Sequence, residues 1–561
     1  MSGAARLAAN TAWYMLCLPE SLAFRRACGD VAGAQEALLL RLLRRNAETV
    51  YGRRHGFDSI RSASEYQRRV PLTTYDDYRD AVRRMAVGEQ RVLTRDPVLL
   101  WEPTSGSTAA TKLVPYTASL KAEFQRAVAA WIVDLYAGDP GLLRGQAYWS
   151  VSPVARREAR TSGGVPVGFE DDSEYFGALE RRLINSLMAV PSLARLVDDM
   201  EAFRYVTLLF LLRSRALSLV SVWNPTFLTL LVEPLAALWP RLADEIERGG
   251  LSTPAPIEEN VRFRLGAMNW PDPRRATEVR EAFRVGGGPA GAHTRLWPHL
   301  RLISCWTDAH AALHARDLSG LFPQARVQGK GLLATEGVVS LPLLGREGAA
   351  LAIRSHFLEF APAGTSSGAT LLRAHELEVG ESYSVVLTTG GGLYRYRLYD
   401  LVEIVGRAGA CPLVRFVGKE EHVSDWFGEK LDERHVRLAL DEELARHNVR
   451  ATFAMVACDE IRGDGDGLPS YILFVEAPSA ADEILREVGA GLEARLGENY
   501  HYRYCRDLGQ LRPLGVFRVA VGAEEAYLSA CRQHGQRAGD VKPVALHRLG
   551  NWSRAFTGRV L

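Results

Sequence analysis

Lysine is nearly missing from this chain. Only Lys112, Lys121, Lys330, Lys419, Lys430 and Lys542 stand among its 68 basic residues, and the rest are arginine. Generic surface charge is written as arginine, so a surviving lysine favours a role that a compact ammonium fills better than a planar guanidinium, with chance survival as the plain alternative for any one of them. A charge excess is missing too: 66 acidic residues leave a formal charge of +2, which gives no electrostatic footprint for nucleic acid or an anionic membrane. Cysteine pairing signals are absent. The seven cysteines, at 17, 28, 305, 411, 458, 505 and 531, form no C-x-x-C, which argues against a disulfide framework or a zinc site and fits a reducing compartment. No hydrophobic run is long enough to span a bilayer. Thr11–Leu18 is short and lacks a small-residue cleavage pattern, and Tyr205–Trp223 is interrupted by Arg213 and Arg215, so it reads as a buried helix. Internal repeats and low-complexity tracts are also lacking. The expectation is a cytoplasmic protein with no nucleic-acid or membrane partner, and no protein partner is predicted.

What is present is an ordinary globular composition, 47% hydrophobic and 24% charged over 561 residues, enough chain for two or three domains. Periodicity predicts helices over Gln35–Val50, Ser62–Val70, Thr74–Met85 and Thr117–Ala137. In the last of these Leu120, Phe124, Val128, Trp131, Ile132 and Leu135 share one face. Helices dominate to about Glu247, with a strand-to-helix turn at Trp223-Asn224-Pro225 and a surface loop at Gly286–Pro289. From about Arg301 the chain turns strand-rich. A boundary at Phe416–His422 divides residues 1–417 from 418–561, where strand and helix alternate. Gly463–Gly467 there reads as a hairpin turn, because no glutamate follows at calcium-loop spacing.

Three short stretches carry chemistry. Val98–Trp101 reads as a strand and Leu113–Tyr116 as another, and between them lie Thr104-Ser105-Gly106-Ser107-Thr108-Ala109-Ala110-Thr111-Lys112. Small and hydroxyl residues let backbone N–H groups close around an anion, and the lysine adds a point charge. A Walker loop runs from its lysine directly into a helix, which this one does not; a Ser/Thr-rich surface turn is the plain alternative. The second stretch is Leu332-Leu333-Ala334-Thr335-Glu336-Gly337, small residues around one carboxylate that can hold Mg²⁺ beside phosphates. The third runs from Thr388 through Gly390-Gly391-Gly392 and the alternating Tyr394–Arg397 to Asp400, which closes the alternation and can accept hydrogen bonds from two ribose hydroxyls. For Glu336 and Asp400 the competing reading is a surface turn acid.

Order and spacing of these motifs, with Thr49–Gly52, His55-Gly56-Phe57, Val70–Tyr75, Gly88-Glu89, Phe357–Phe360, Gly515-Val516-Phe517 and Gly539–Pro543, make the chain resemble a bacterial member of the auxin-responsive Gretchen Hagen family of acyl-acid amido synthetases, in the adenylate-forming superfamily. The resemblance covers essentially the whole chain. It implies an α/β fold: a large N-terminal adenylate-forming domain with mixed sheets and a β-barrel-like part, plus a smaller mobile α/β C-terminal domain. It also implies ATP and Mg²⁺, with a carboxylic acid and an amine, typically an amino acid, as substrates. Ser105, Gly106, Ser107, Thr108 and Lys112 would hold phosphates. Ala334 and Thr335 would line the adenine and α-phosphate, Glu336 would hold Mg²⁺, and Asp400 the ribose. Lys419 would sit at the hinge, and Lys542 would act catalytically near the α-phosphate. The acid pocket would draw on Thr117–Ala137 and on turns near Trp223-Asn224 and Trp306-Thr307.

Three positions depart from the family pattern: Ala109-Ala110 replace glycine, Leu332 stands where an aromatic normally stacks on adenine, and Tyr399 replaces a small residue before the ribose aspartate. Altered nucleotide grip, unusual substrates and lost catalysis are all open on that basis. A thiol acceptor such as coenzyme A and a noncatalytic nucleotide-binding homologue are the alternatives to amide synthesis. A serine hydrolase is disfavoured, because Ser105 and Ser107 lie in no G-x-S-x-G elbow.

Overall fold

The structure is a computed structural model describing residues 2–104, 112–149, 159–168, 178–223, 225–308, 311–363, 370–419, 423–424, 429, 431–459, 470–507, 511–533, 541, 543–547 and 549–561. It divides into two compact units, Met1–Leu398 with Val402–Phe416, and Tyr399–Leu401 with Val417–Leu561.

In the larger unit the predicted helices form where capping residues allow them. Asp30 opens Val31–Asn46 by accepting from the Gly33 N–H, Ser62 opens Ala63–Arg69, and Thr74 with Asp77 forms a capping box before Tyr75–Ala86. Leu38, Leu39, Leu42 and Leu43 are buried as the pattern requires. Val50 is not part of that face: the helix stops at Asn46, and Val50 begins a separate short helix, Val50–Arg54, with its side chain exposed. The apolar segment from Tyr205 is likewise two elements rather than one. Helix Met200–Arg213 is buried almost throughout, and the chain then enters strand Leu217–Ser221. Gly286 and Gly287 adopt positive φ ahead of helix Gly288–Leu296, so that loop is a helix entry.

A four-stranded parallel sheet lies in sequence order, Gln146–Trp149, Leu217–Ser221, Leu302–Cys305 and Arg326–Gly329. Two of its strands are buried along their whole length, as expected of a parallel sheet covered on both faces. A seven-stranded sheet runs Ser340–Pro342, Ala349–Leu351, Cys411–Lys419, Tyr396–Ala408, Ser382–Thr388, Phe357–Pro362, Leu372–Arg373. Helix Ala118–Gly138, capped by Thr117, joins the two regions. Its first half packs Leu120, Phe124, Ala127 and Ala130 into the core beside Val338, Leu341 and Leu351. Its second half packs Ile132, Val133, Leu135 and Tyr136 with Trp13, Leu219 and Leu302. Each fully buried Leu or Ile there contributes about 1.5–3 kcal/mol, which is why this helix is apolar on more than one face.

The smaller unit is an α/β layer around a sheet ordered Leu546–His547, Phe453–Asp459, Ser470–Glu476, Arg512–Val519, Gly558–Val560. Alternation decides its two faces. Ala454, Val456, Leu473 and Val475 pack with Val436, Leu440, Leu485 and Leu492 from helices Glu433–Arg446 and Asp482–Leu496. Met455, Ala457, Ile472 and Phe474 pack with Tyr527 and Trp552 from helices Ala523–Gln533 and Trp552–Ala555. Gly463–Gly467 lies outside the described residues. Among the described residues, no single helix is long and apolar enough to cross a membrane.

Candidate active site

The first motif is framed by an antiparallel pair. Strands Val98–Thr104 and Lys112–Thr117 meet with Thr104 opposite Lys112, so the loop leaves and returns at one rung. Ser105, Gly106, Ser107, Thr108 and the Ala109-Ala110 departure lie outside the described residues. At the return, the Lys112 ammonium stands 5.7 Å from the centre of the Tyr75 ring. The Tyr75 hydroxyl accepts from the Leu113 N–H at 2.8 Å. Burial raises the Tyr75 pKa, and the charge of Glu336 pushes it the same way. Tyr75 is thus flanked by the lysine of the first motif and within electrostatic reach of the carboxylate of the second.

That second motif is a tight antiparallel turn. Strands Leu333–Ala334 and Gly337–Val338 pair with Ala334 opposite Gly337, leaving Thr335 and Glu336 as the two-residue connection. A β-carbon at Gly337 would lie 2.7 Å from His356 Nε2, so no larger residue fits without displacing that ring. The ring matters, because Nε2 accepts from the Val338 N–H at 3.0 Å. An accepting Nε2 puts the proton of the neutral ring on Nδ1, and Nδ1 stands 3.0 Å from Glu123 Oε2. Glu123, the one acid on the buried side of helix Ala118–Gly138, also accepts from the Gly390 N–H at 3.0 and 2.9 Å. His356, bonded to the Glu336 turn, and Glu123, bonded to Gly390 of the third motif, thus stand side by side, both buried. The Tyr396 hydroxyl adds a longer bond to Glu336 Oε1, at 3.4 Å.

In the third motif Gly390 lies so close to helix Ala118–Gly138 that an added β-carbon would sit 2.5 Å from Ser119 Cβ. Beyond it, the Tyr78 hydroxyl accepts from the Tyr394 N–H and donates to the Tyr394 carbonyl, both at 2.8 Å. Arg395 turns inward at φ +50 and donates to Glu359 at 3.1 Å and to the Gln67 and Val70 carbonyls. Burial raises the Glu359 pKa while Arg395 opposes it. Arg395 is thus a buried tie. Asp400 does not close a strand: it lies within strand Tyr396–Ala408 and is 3% exposed. Tyr399 before it has φ +60, the left-handed region, which costs a bulky residue about 1–3 kcal/mol. This gives the preference for a small residue there a physical reason. Leu332 is a core residue, 5% exposed. Lys419 ends strand Cys411–Lys419, and Lys542 lies outside the described residues.

An apolar cavity of about 140 Å³ adjoins the Glu336 turn. Phe124, Val128 and Trp131 of helix Ala118–Gly138 form one wall. Trp149, Ser221 and Ser304, at the carboxyl ends of the parallel strands, form another with Trp223 and Lys330, and Leu333, Val338 and Leu341 close it. Trp131 is fixed by a hydrogen bond from its Nε1 to Gln328 Oε1 at 3.2 Å. Trp223 lines the cavity. Trp306 is absent from the described lining and packs on Phe416 at 5.2 Å between ring centres. A second cavity, about 240 Å³, lies among Asp139, Arg301 and Arg326 at the amino ends of the same strands. Open α/β sheets bind ligands at the carboxyl ends, and in the second cavity Arg301 and Asp139 pair with each other.

Tyr75, Tyr78, Glu123, His356 and Lys330 were not singled out as site residues by sequence reasoning. An acid inside an apolar helix face was a readable signal for Glu123. A surviving lysine was one for Lys330.

Residues 22–327 match the GH3 family N-terminal domain and residues 349–419 the GH3 family central domain. Among similar proteins, the indole-3-acetic acid-amido synthetase GH3.8 of Oryza sativa subsp. indica is 28% identical over 439 residues, covering 74% of this chain and 71% of that protein. The probable indole-3-acetic acid-amido synthetase GH3.2 of Oryza sativa subsp. japonica is 26% identical over 563 residues, covering 94% and 90%. The solved GH3.15 acyl acid amido synthetase superposes with a TM-score of 0.78 at 20% identity, covering 95% of this chain and 94% of that one, a likeness of fold. With more than half of its length matched by the N-terminal domain alone, and that domain followed in order by the central one, the chain belongs to the GH3 family.

Proposed function

We propose that this protein is an ATP-dependent acyl-acid amido synthetase that activates a carboxylic acid as its acyl-adenylate and transfers the acyl group to an amine, in the first instance an amino acid. One observation carries the reading. Leu333 and Val338, opposite each other in the pairing, line the apolar cavity, while the connection between their strands carries Glu336. An acid held in the cavity would present its carboxylate where a nucleotide held around that turn presents its α-phosphate. The names of the similar proteins support the same chemistry.

The residues fit MgATP. Among the described residues no three acidic, histidine or cysteine side chains gather around one point, so a divalent ion would be held by few protein ligands. Mg²⁺ bound through one carboxylate and substrate phosphates needs no more, and Glu336 is that carboxylate. When bound, the metal ion neutralises phosphate charge and makes pyrophosphate a better leaving group. In this reading Lys112 and the Ser105–Thr108 loop hold the phosphates. Ala334 and Thr335 line the adenine and α-phosphate, and Asp400 accepts from the ribose. Residues 1–417 act as the adenylation domain and 418–561 as the lid domain, with Lys419 and Lys542 supplying further positive charge to a cytoplasmic enzyme. Catalysis is positioning and charge stabilisation in a site that excludes water.

ATP–pyrophosphate exchange with Mg²⁺ and pooled carboxylic acids tests the first half-reaction. Acid-dependent exchange, followed by amide formation with added amino acids and no thioester with coenzyme A, is the expected result. Thioester formation would replace the amine by a thiol, and absence of exchange with every pool would overturn the enzymatic reading.

A further inference from the structure

All the cysteines are free thiols, and every one but Cys28 is buried. Burial raises the Cys305 and Cys531 thiols, as expected of inert structural cysteines. Half-buried Cys28 shifts the other way. Its pKa is lowered, because the hydrogen bond with the Cys411 thiol outweighs its desolvation. Cys411 is 0% exposed and keeps its proton more tightly, first through the bond to Cys28 and then through burial. The Leu351 carbonyl accepts from the same thiol at 3.5 Å.

Backbone packing builds this contact. Cys28 caps the carboxyl end of helix Gly3–Ala27, and Cys411 begins strand Cys411–Lys419. Gly409-Ala410 connects that strand to its neighbour Tyr396–Ala408. The Ala410 N–H donates to the Cys28 carbonyl at 2.7 Å. Gly409, at φ +63, lies so near that a β-carbon on it would stand 2.9 Å from that carbonyl oxygen and 3.8 Å from Cys28 Cβ. Nearby, Arg354 holds Glu20 of the same helix by two bonds, at 2.5 and 2.9 Å. A docked helix end and a hairpin thus hold two sulfurs, far apart in sequence, side by side on one core. The outer sulfur ionises first and the sheltered one stands in reach to resolve it, which is the arrangement of a redox pair. Scattered spacing argues against a structural disulfide framework, but a single reversible pair is the form that disulfides take in a reducing compartment.

We propose that Cys28 and Cys411 are a reversible redox modification site, with a hydroperoxide as the oxidant. With hydrogen peroxide, the Cys28 thiolate attacks one peroxide oxygen. An S–O bond forms, the O–O bond breaks, and the released hydroxide takes a proton from solvent. The Cys411 sulfur then gives up its proton and attacks the Cys28 sulfur. An S–S bond forms, the S–O bond breaks, and the departing hydroxide leaves with that proton as water. The two thiols lose two electrons, and one peroxide becomes two waters. A small dithiol reverses the change by exchange. The new bond pins the end of helix Gly3–Ala27 to the sheet and closes a loop through most of the larger unit, which constrains the unfolded chain. None of these steps depends on the proposed synthetase activity.

The test treats the full, reduced chain with a small excess of hydrogen peroxide at neutral pH, then alkylates it and maps its peptides by mass spectrometry. A Cys28–Cys411 cross-link with the mass of two hydrogens lost is expected, reversed by dithiothreitol, with the other cysteines still alkylated after denaturation. The melting temperature of the cross-linked chain should lie about 2–5 °C above that of the reduced one. In Cys411→Ala the Cys28 sulfenic acid should persist and be trapped by dimedone, whereas Cys28→Ser should leave Cys411 unlabelled. Native chain in which both thiols stay free, or in which other cysteines cross-link first, would overturn the proposal without recourse to any variant. Dimedone on Cys411 instead of Cys28 would overturn the assignment of the attacking sulfur, and a cross-link with no rise in melting temperature would overturn its role as a staple.

Discussion

At the proposed nucleotide end of the larger unit, the residues read as chemistry-bearing stand on tight turns and strand ends, Lys112 at the start of its strand and Thr335-Glu336 between two paired residues, and the buried His356 holds the Glu336 turn from a distant segment. At the proposed acid end the arrangement reverses. The lining is drawn from separate segments: helix Ala118–Gly138, the carboxyl ends of three parallel strands, Trp223, Lys330, and the hairpin with Leu333 and Val338. The first is local in sequence and supported at a distance; the second is assembled from a helix, a sheet and a hairpin far apart in the chain. Substitutions at the first should separate chemistry from stability cleanly, whereas those at the second should change which acid is used.

The largest expected effect is on chemistry alone. Glu336→Gln should lower acid-dependent exchange by at least about 100-fold, since a metal carboxylate contributes several kcal/mol to transition-state charge stabilisation, with the melting temperature nearly unchanged because the side chain is on a turn. A large fall in melting temperature would instead assign Glu336 to the scaffold. Next comes the support behind the turn. Glu123→Ala removes the acceptor of the Gly390 N–H and the carboxylate beside His356, and should cost about 2–4 kcal/mol in urea unfolding. A stable variant with lost exchange would show that the dyad tunes chemistry rather than holding backbone.

A smaller effect of opposite sign is expected at Tyr399. Tyr399→Gly relieves a left-handed residue at φ +60 and should raise unfolding free energy by up to about 1 kcal/mol; destabilisation would mean that the tyrosine ring contributes more than its backbone costs. The smallest effect concerns pH at the start of the helix shared by both ends. Burial pushes the Asp96 carboxyl up, but hydrogen bonds from Ser119 and Arg45 outweigh it and hold its pKa below the ordinary value of 3.8. A depressed carboxyl stabilises the fold above its ordinary pKa and loses that contribution as pH falls through the lowered one. The destabilisation caused by Asp96→Asn should therefore shrink between pH 7 and pH 3. Arg45 is half exposed, so the effect is modest and salt-sensitive. A pH-independent difference would exclude the ion pair as its source.

The sequence alone determined the helices with clear caps and periodicity, the strand-rich texture after Arg301, and the motifs whose residues are neighbours in the chain, because capping, alternation and turn chemistry act over a few residues. It misjudged Val50, which begins a separate helix with its side chain exposed, and the end of the Tyr205 segment, where the chain enters a strand, and it placed Asp400 at a strand end when the strand continues past it. Only the tertiary structure decided that Arg395 is a buried tie, that His356 and Glu123 stand behind the Glu336 turn, and that Ser221, Ser304 and Lys330 share one wall. Those relations join segments tens to hundreds of residues apart. Burial converts their ordinary polar side chains into specific ones, because an amide, hydroxyl or charge removed from water must find its partner within the fold or in a ligand.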